Sequence, residues 1–368
     1  MPGWKNFRRI KKINRYLLAR DIHKNAFRLS AYPRSVYLMT DPICDLHCRM
    51  CSRKYLSGEE LKSRIDEKTL IKFANEVFPL TETMRLSVLG EPFLSPLFDL
   101  EMELARKYAV MTEIFTNGMR IDIDRIKRYA GHIRALIFSV DSPEQRTYEA
   151  IRRGGDFSRI VRNINEIREI FKKIPRGNRP ALAINMVLMR CNLEQLSAMV
   201  LFSKKSGVDC LSVSKLDVVD GRMEKESIER YGSRVRNALN NAMHVAKKKK
   251  LPLFIKSENA INFSGVLLTS LVQKKLGGDD RLTSRILCPF LWERVILDMH
   301  GNIVVCCATR ERLIAGNIRT NNFASIWNSK LYQEMRKSFL KGENGGRLCR
   351  ICVKRGYLAP ILKNDWHE

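Results

Sequence analysis

Apolar and polar positions alternate in two different ways along the first 215 residues. Short apolar runs predict β-strands, and the segments between them, with apolar residues every three or four positions, predict helices. Six strands separated by helices are typical of a parallel sheet, either open or closed as a barrel. The predicted strands are Val36–Thr40, Arg85–Leu89, Val110–Phe115, Arg134–Val140, Ala181–Met189 and Asp209–Ser214.

The pattern changes after residue 280. The pattern predicts two strands joined by a three-residue turn, which indicates a hairpin, at Arg294–Asp298 and Asn302–Cys306. It then predicts a helix over Phe323–Phe339. Ser227–Lys250, which precedes this part, predicts a solvated helix that ends in four lysines. We therefore divide the chain into an N-terminal extension (1–35), an α/β core (36–215), a helical connecting region (216–280) and a small C-terminal α+β domain (281–368).

The N-terminal extension predicts a basic amphipathic helix. Trp4, Phe7, Ile10, Ile13 and Leu17 recur every three or four residues, and lysines and arginines occupy the other face. We expect the apolar stripe to pack on the neighbouring domain. Because basic amphipathic helices also bind anionic membrane surfaces or nucleic acid, those two partners stay as alternatives.

Charge and cysteine content narrow the possible functions. The 368 residues include 66 Lys and Arg against 39 Asp and Glu, a net charge of +27 that favours anionic partners. No stretch approaches the roughly 18 apolar residues of a membrane span, and the start of the chain lacks a secretory signal. We therefore expect a cytoplasmic protein, with a peripheral membrane position open to it through the basic helix. In a reducing compartment, ten cysteines predict metal ligands or catalytic thiols.

Three of these cysteines follow the first predicted strand with CxxxCxxC spacing. They are Cys44, Cys48 and Cys51. A structural zinc site normally takes four protein ligands, and His47 is only a weak candidate for the fourth. Three thiolates instead suit a four-iron cluster that keeps one iron open for a small molecule. A zinc or purely structural role remains the alternative.

Further motifs follow the later predicted strands. Together with the CxxxCxxC loop they make residues 36–215 resemble the radical S-adenosylmethionine (SAM) superfamily. The resemblance implies an α/β fold with a partial (β/α)6 barrel of parallel strands and a small C-terminal α+β cluster-binding domain, with the active site at the strand ends. The motifs are Leu89–Pro92 (Leu-Gly-Glu-Pro), Thr116–Gly118, Ser139–Asp141 and Tyr148–Gly155.

The resemblance also implies a chemistry. The three cysteines would hold a [4Fe–4S] cluster whose open iron binds SAM, and reductive cleavage would give a 5′-deoxyadenosyl radical that abstracts hydrogen from a C–H bond. Met50 stands where the family usually has an aromatic residue, and Leu89 replaces its usual first glycine. The implied SAM contacts are Gly90 and Glu91 at the amino group, Ser139 and Asp141 at the ribose and methionine end, Arg152 or Arg153 at the carboxylate, and Met50 beside the adenine.

A second group of cysteines lies in the C-terminal domain. The run Gly301–Cys306 and the terminal CxxC resemble the SPASM/twitch extension of the same superfamily, which holds an auxiliary iron–sulfur cluster. The resemblance implies one auxiliary [4Fe–4S] cluster, and adjacent Cys307 is the alternate to Cys306. A four-cysteine zinc site is the alternative. The implied ligands are Cys288, Cys306, Cys349 and Cys352.

Two cysteines remain outside these groups. Cys191 follows the fifth predicted strand, at the presumed barrel mouth, where a thiol would return a hydrogen atom to a substrate radical. It is therefore our candidate catalytic residue, although cysteine is also a common inert core residue. Cys210 lies within the sixth predicted strand and is expected in the core.

Three functions fit these observations. The first is a radical SAM oxidoreductase that oxidises a carbohydrate or aminocyclitol-like substrate and passes an electron to the auxiliary cluster. The second is a SPASM-type maturase that modifies a peptide or protein side chain. The third is a basic RNA- or membrane-binding protein whose cysteine sites are structural. Both enzymes would need an electron donor such as flavodoxin or ferredoxin.

Overall fold

The computed structural model describes residues 2–255, apart from 176, 217, 219 and 220, and then 288–306 and 313–341. The strands are β1 Ser35–Met39, β2 Thr83–Arg85, β3 Met111–Thr116, β4 Ile133–Ser139, β5 Ala181–Leu188, β6 Cys210–Lys215, β7 Leu253–Ile255, β8 Arg294–Asp298, β9 Asn302–Val304 and β10 Ile314–Asn317. The α-helices are α1 Pro2–His23, α2 Gly58–Lys62, α3 Glu67–Val77, α4 Phe98–Lys107, α5 Ile123–Tyr129, α6 Gln145–Ile151, α7 Phe157–Lys172, α8 Leu196–Lys205, α9 Gly232–Lys249, α10 Pro289–Trp292, α11 Phe323–Trp327 and α12 Lys330–Leu340.

These strands form one mostly parallel sheet in the order β10-β9-β8-β1-β2-β3-β4-β5-β6-β7. Strands β1 to β7 pair in parallel, and β8 pairs in parallel with the other edge of β1. Strands β9 and β10 continue the sheet in antiparallel fashion. The predicted α/β class is confirmed, and the order brings the end of β1 to the middle of the sheet.

The two faces of the sheet differ in the size of their side chains. On one face Leu38, Ile114 and Leu136 are fully buried in the large core that the helices cover. The other face carries smaller residues at its centre, among them Ala135 and Ala183. Since side chains alternate along a strand, we call this second side the inner face and expect it to leave space.

Two predicted elements differ from the observed ones. The second strand ends at Arg85 instead of beginning there, because Ser87 has a left-handed backbone with φ of 42° that ends an extended strand. The predicted helix Phe323–Phe339 is divided into α11 and α12. At this break Asn328 accepts a hydrogen bond from Leu29 N and donates one to Leu29 O, both at 2.9 Å.

The C-terminal part continues the sheet of the core. Strand β8 pairs with β1 along its whole length. Trp327 Nε1 donates to Ala31 O at 2.9 Å, and the buried Arg336 guanidinium stacks over the Trp327 ring at 4.6 Å while donating to Leu291 O at 2.6 Å. These contacts fix α11 and α12 to the start of the core. The boundary near residue 280 stays a prediction, because residues 256–287 lie outside the described ranges.

Helix α1 lies across the amino ends of the strands. Lys11 Nζ donates to Tyr108 O at 2.6 Å and Ala109 O at 2.7 Å, directly before β3. Arg15 forms an ion pair with Glu82, directly before β2, at 3.0 Å. The helix therefore packs on the core as expected.

The face of α1 that packs differs in part from the predicted stripe. Ile13 is 51% exposed, whereas Lys11 and Asn14 are buried. In the part of the chain that the structure describes, no helix is long and apolar enough to cross a bilayer. Basic residues cover most of the outer face: Lys5, Arg8, Arg9 and Lys12.

The buried Asn14 gives a test of this packing. Its Nδ2 donates to Tyr32 O at 3.0 Å and its Oδ1 accepts from Tyr32 N at 2.8 Å, so Asn14→Ala loses hydrogen bonds inside the fold. We expect the free energy of unfolding in urea to fall by about 1–3 kcal/mol. Asn6→Ala, on the exposed face of α1, is the control and should stay near wild type. Equal unfolding midpoints for the two variants would contradict this packing.

Candidate functional site

The CxxxCxxC loop leaves the carboxyl end of β1 and reaches the segments that follow other strands. His47 N donates to Arg153 O and Arg49 N donates to Ile151 O, each at 2.9 Å. All three thiols of the loop are half-buried. Because parallel strands end at the same edge of a sheet, the loop lies where the other motifs also end.

Close backbone contact joins this loop to the Leu-Gly-Glu-Pro motif. Glu91 N donates to Ile43 O at 2.6 Å. A Cβ atom on Gly90 would lie 2.8 Å from Ile43 O and 3.0 Å from Asp41 O. Residue 90 is therefore restricted to glycine by the approach of two backbones.

The buried carboxylate of Glu91 is directed toward the end of β3. Thr116 Oγ1 donates to it at 2.6 Å and Asn117 N donates to it at 2.7 Å, while burial raises the pKa of Glu91 to about 7. The Asn117 amide donates to Asp45 at 2.8 Å and lies 3.7 Å from Cys44 Sγ. Glu91 thus supports the loop through Asn117, and its contact with SAM stays a prediction.

A buried ion pair lies against the second cysteine. Asp141 accepts from Val187 N at 2.7 Å, and its other oxygen lies 2.8 Å from Arg152 Nε. Arg152 Nη1 is 3.7 Å from Cys48 Sγ. Burial alone lowers the pKa of Arg152, but the Asp141 carboxylate raises it above its usual value. A fixed positive charge therefore faces one of the three thiols.

The residues of the loop fit an iron–sulfur cluster. Burial raises the pKa of Cys44 to about 11 and also raises the pKa of Cys48, so metal binding would release protons. Within the described ranges, no three His, Cys, Asp or Glu side chains converge as a single ion requires. A cubane cluster places each thiolate on a different iron, and the N–H donors of Asn117 and Arg152 lie 3.7 Å from two of the sulfurs.

A cavity of about 370 Å³ opens beside Cys48 and Cys51. Its apolar lining is Leu46 and Met223. A positively charged wall suits an anionic iron–thiolate centre. Five basic residues form the rest of the lining: His47, Arg49, Arg53, Lys54 and Arg153.

Met50 and Cys191 lie together at one side of this site. Both pack against an apolar cluster that includes Met223. Cys191 N donates to the Glu226 carboxylate at 3.2 Å. Burial, and then the charge of Glu226, raises the pKa of the Cys191 thiol to about 11, which keeps it protonated at neutral pH.

Sequence reasoning does not identify Glu226. Its buried carboxylate lies 3.2 Å from Arg49 and 3.4 Å from Arg190, so it joins the cysteine loop to the segment after β5. Glu226 and Arg49 are 177 positions apart, and no local pattern relates them. Glu101 accepts a hydrogen bond from Thr40 Oγ1 at 2.7 Å, below the loop. Its sequence gives only a weak indication of this role, namely an acidic residue on the buried face of α4.

Ser139 lies at the carboxyl end of the inner face. It is the last residue of β4 and pairs with Asn185 of β5. Asn185 accepts a hydrogen bond from Ser214 Oγ at 2.9 Å. These three residues form a polar strip that continues the small residues Ala135 and Ala183 along the strands.

The two described cysteines of the second group, Cys288 and Cys306, lie at the other end of the β1–β8 pair. Cys288 precedes α10 and packs against the inner-face cluster that contains Tyr37 and Ile296. Cys306 follows Val304, which pairs with Ile296, and the antiparallel direction of β9 carries it toward the amino end of β8. The described ranges do not include Cys307, Cys349 and Cys352.

Similar proteins share this fold across most of the chain. The structure of Streptococcus suis SuiB bound to S-adenosylmethionine superposes with a TM-score of 0.65 at 16% identity, over 88% of this chain and 71% of SuiB. That of native anSMEcpe with bound AdoMet gives 0.61 at 17% identity, over 86% of this chain and 88% of anSMEcpe. SuiB is also known bound to precursor peptide SuiA, and anSMEcpe with Cp18Cys peptide.

A relative in Pyrococcus furiosus is described as the cofactor-modifying protein of the tungsten-containing aldehyde ferredoxin oxidoreductase. It is 23% identical over 327 residues, 81% of each chain. Residues 40–202 match the family model of the radical SAM superfamily, and residues 288–353 match that of SPASM, an iron–sulfur cluster-binding domain. These domains imply SAM and two [4Fe–4S] clusters. The chain therefore belongs to the radical SAM superfamily and carries a C-terminal SPASM domain.

Proposed function

We propose that this radical SAM enzyme acts on a peptide or protein side chain. When bound, the cofactors supply a 5′-deoxyadenosyl radical that removes hydrogen from a C–H bond and a second centre that accepts an electron. Cys44, Cys48 and Cys51 would hold the first cluster. The auxiliary cluster would be held by Cys288, Cys306, Cys349 and Cys352.

The chain's own residues would orient SAM and keep water out. Asp141 holds Arg152 at the side of Cys48, where the guanidinium is available to an anionic group. Gly90 allows the two loops to close on each other, and Ser139 and Met50 would contact the ribose and the adenine. In a redox-neutral reaction, in which the auxiliary cluster does not oxidise the substrate radical, the protonated Cys191 thiol would instead return a hydrogen atom to that radical, and the resulting thiyl radical would then be reduced by one electron and a proton.

The position of the two cysteine groups carries this proposal. One group follows the carboxyl end of β1, and Cys288 and Cys306 of the other lie toward the amino end of β8, so a substrate on the inner face would have a centre at either side. The inner face carries the small side chains of Ala135 and Ala183 at its centre, which would leave room for a substrate segment. Two enzymes of similar fold bind peptides, which favours a peptide in this space.

A small molecule is the second candidate substrate. The Pyrococcus furiosus relative is described as modifying a cofactor, and its match covers 81% of this chain. An auxiliary cluster would also suit the oxidation of a sugar-like alcohol, since removal of hydrogen beside a hydroxyl leaves a radical that is easily oxidised. This oxidoreductase function is therefore kept as the alternative.

The first cluster can be tested by removing its ligands. We expect the triple variant with Cys44, Cys48 and Cys51 changed to Ala to lose about four iron atoms per chain and all 5′-deoxyadenosine formation from SAM and dithionite. Iron analysis and chromatography measure these results after anaerobic reconstitution. Cys210→Ala, buried within β6, is the control and should keep its iron. A triple variant with unchanged iron, or wild-type protein that binds only zinc, would contradict the assignment.

The substrate class can be tested with deuterium. Extract from cells grown in deuterated medium is separated into macromolecular and small-molecule fractions and incubated with enzyme, SAM and dithionite. Because the radical takes hydrogen directly from its substrate, we expect deuterium in 5′-deoxyadenosine only with the macromolecular fraction. Protease treatment of that fraction should abolish the label in mass spectra. Label from the small-molecule fraction alone would instead favour the second candidate.

The auxiliary cluster can be separated from the first. We expect Cys288→Ala combined with Cys306→Ala to lose about four iron atoms per chain and to block product formation, because the substrate radical then lacks its electron acceptor. Uncoupled SAM cleavage should continue near the wild-type rate. Unimpaired product formation in this variant would rule out the electron-acceptor role.

A further inference from the structure

We propose that the outer face of α1 binds the surface of an anionic lipid bilayer and that the cysteine loop is then directed away from the lipid. The proposal goes beyond the radical SAM assignment and does not depend on the class of substrate. The outer face consists of exposed residues of α1: Lys5, Arg8, Arg9, Lys12, Ile13 and Tyr16.

The outer face carries a continuous stripe of exposed cations. Lys5, Arg9 and Lys12 follow one another every three or four residues, so they lie along one side of the helix. Arg8 lies beside them, with its guanidinium 5.9 Å from the centre of the Trp4 ring. Within the described part of the chain, no ion pair neutralises these four cations. Cations grouped on a helix in this way attract anionic lipid headgroups.

The helix has no acidic side chain on this face. Its single acidic residue, Asp21, is buried. The Asp21 carboxylate accepts hydrogen bonds from Ser30 N at 2.6 Å and from Ala31 N at 3.0 Å, so it holds the segment that follows the helix. The charge of the outer face is therefore positive along its length.

Two large apolar side chains are exposed among these cations. Ile13 is 51% exposed and Tyr16 is 68% exposed. Contact with lipid would remove apolar surface of both side chains from water, and tyrosine is enriched where a bilayer meets water. A nucleic-acid backbone would contact the cations but would leave Ile13 without an apolar neighbour. The combination of charge and apolar surface therefore favours lipid.

The opposite face of α1 is already used by the fold. The Phe7 ring packs edge-to-face on Tyr108, with ring centroids 5.4 Å apart, and Leu18 is 2% exposed. Because these apolar side chains pack inside the protein, the helix cannot insert them into a bilayer. Lipid contact is limited to the outer face, and we expect shallow binding that depends on charge and weakens with salt.

A planar partner suits this helix better than the groove of a duplex. Buried side chains occur in successive turns of α1, at Lys11, Asn14, Leu18 and Asp21. The helix therefore lies against the core over much of its length and exposes only one side. A helix that binds in a major groove is surrounded by the groove walls, whereas a bilayer needs one exposed side.

The contacts of α1 set the orientation of the molecule on the membrane. Lys11 and Arg15 contact residues directly before β3 and β2, and the Trp4 ring lies 5.0 Å from His132, directly before β4. These strands are parallel to β1, whose carboxyl end leads into the cysteine loop. A bilayer against α1 would therefore leave this loop at the far end of the sheet, accessible to SAM.

Exposed arginines near the carboxyl ends of the strands provide a matched control. Arg146 lies on α6, and Arg159 and Arg162 lie on α7, the helices that follow β4. Changing these three to Gln lowers the net charge as much as Lys5→Gln with Arg9→Gln and Lys12→Gln. A general effect of net charge would therefore alter both triple variants equally.

The test measures co-sedimentation of the reconstituted holoenzyme with vesicles. One kind contains phosphatidylcholine alone, and the other contains equal parts phosphatidylcholine and phosphatidylglycerol. We expect wild type to bind only the anionic vesicles and to be released by salt. K5Q/R9Q/K12Q should bind them about a hundredfold more weakly, whereas R146Q/R159Q/R162Q should resemble wild type. Equal unfolding midpoints in urea would show that both variants keep the fold.

Tyr16→Trp gives a direct measure of lipid contact. We expect its fluorescence to shift to the blue and to be quenched by brominated lipid in anionic vesicles. Wild type, with its four native tryptophans, supplies the background.

Four outcomes would overturn the proposal. Wild-type protein that binds neither kind of vesicle would exclude a lipid surface. Equal loss in the two triple variants would show an effect of net charge. Bound Tyr16→Trp protein with unchanged fluorescence would place the lipid contact elsewhere. Binding of a single-stranded RNA oligonucleotide in preference to anionic vesicles, lost in K5Q/R9Q/K12Q, would assign the outer face to nucleic acid.

Discussion

Pairing on both edges of β1 is the constraint on which the rest of the structure depends. The strand joins β2 on one side and β8 on the other, both in parallel, and the cysteine loop begins directly after it. This pairing fixes the loop at the middle of the carboxyl edge. It also brings Cys288 and Cys306 to the same sheet, at the opposite end. The distance between the two sites is therefore set by the parallel pairing of β1 with β8.

Much of this arrangement can be predicted from sequence because it depends on local patterns. Buried parallel strands require apolar runs, and the loops that follow them carry the residues that bind cofactors. The CxxxCxxC motif and Gly90-Glu91 could therefore be recognised from their positions directly after two predicted strands. The close approach of Gly90 to Ile43 explains why that position takes glycine. The prediction is wrong at β2, where the left-handed Ser87 is not signalled by an apolar run.

The remaining features depend on contacts between distant parts of the chain. Glu226 pairs with Arg49, which is 177 positions away in the sequence, and no local motif near either residue predicts the pair. On α1, the spacing of apolar residues every three or four positions predicts that Ile13 is buried. Lys11 and Asn14 are buried instead. Lys11 donates a hydrogen bond to Tyr108 O, before β3, and Asn14 donates one to Tyr32 O. The periodicity of a sequence shows only which positions are apolar. These polar contacts could not be predicted from it, because they depend on the position of acceptor groups in other elements of the fold.

The parallel contact of β8 with β1 has a consequence for dissecting the molecule. A shortened chain that stops near residue 255 would retain the CxxxCxxC loop and strands β1 to β7, yet β1 would become a bare edge with unpaired N–H and C=O groups. Exposed edges of this kind recruit other chains and promote aggregation. Val36 and Leu38, fully buried at present, would lie beside that edge. The part of the chain that carries the first cysteine triad therefore depends on a late-synthesised strand to cover the edge of β1.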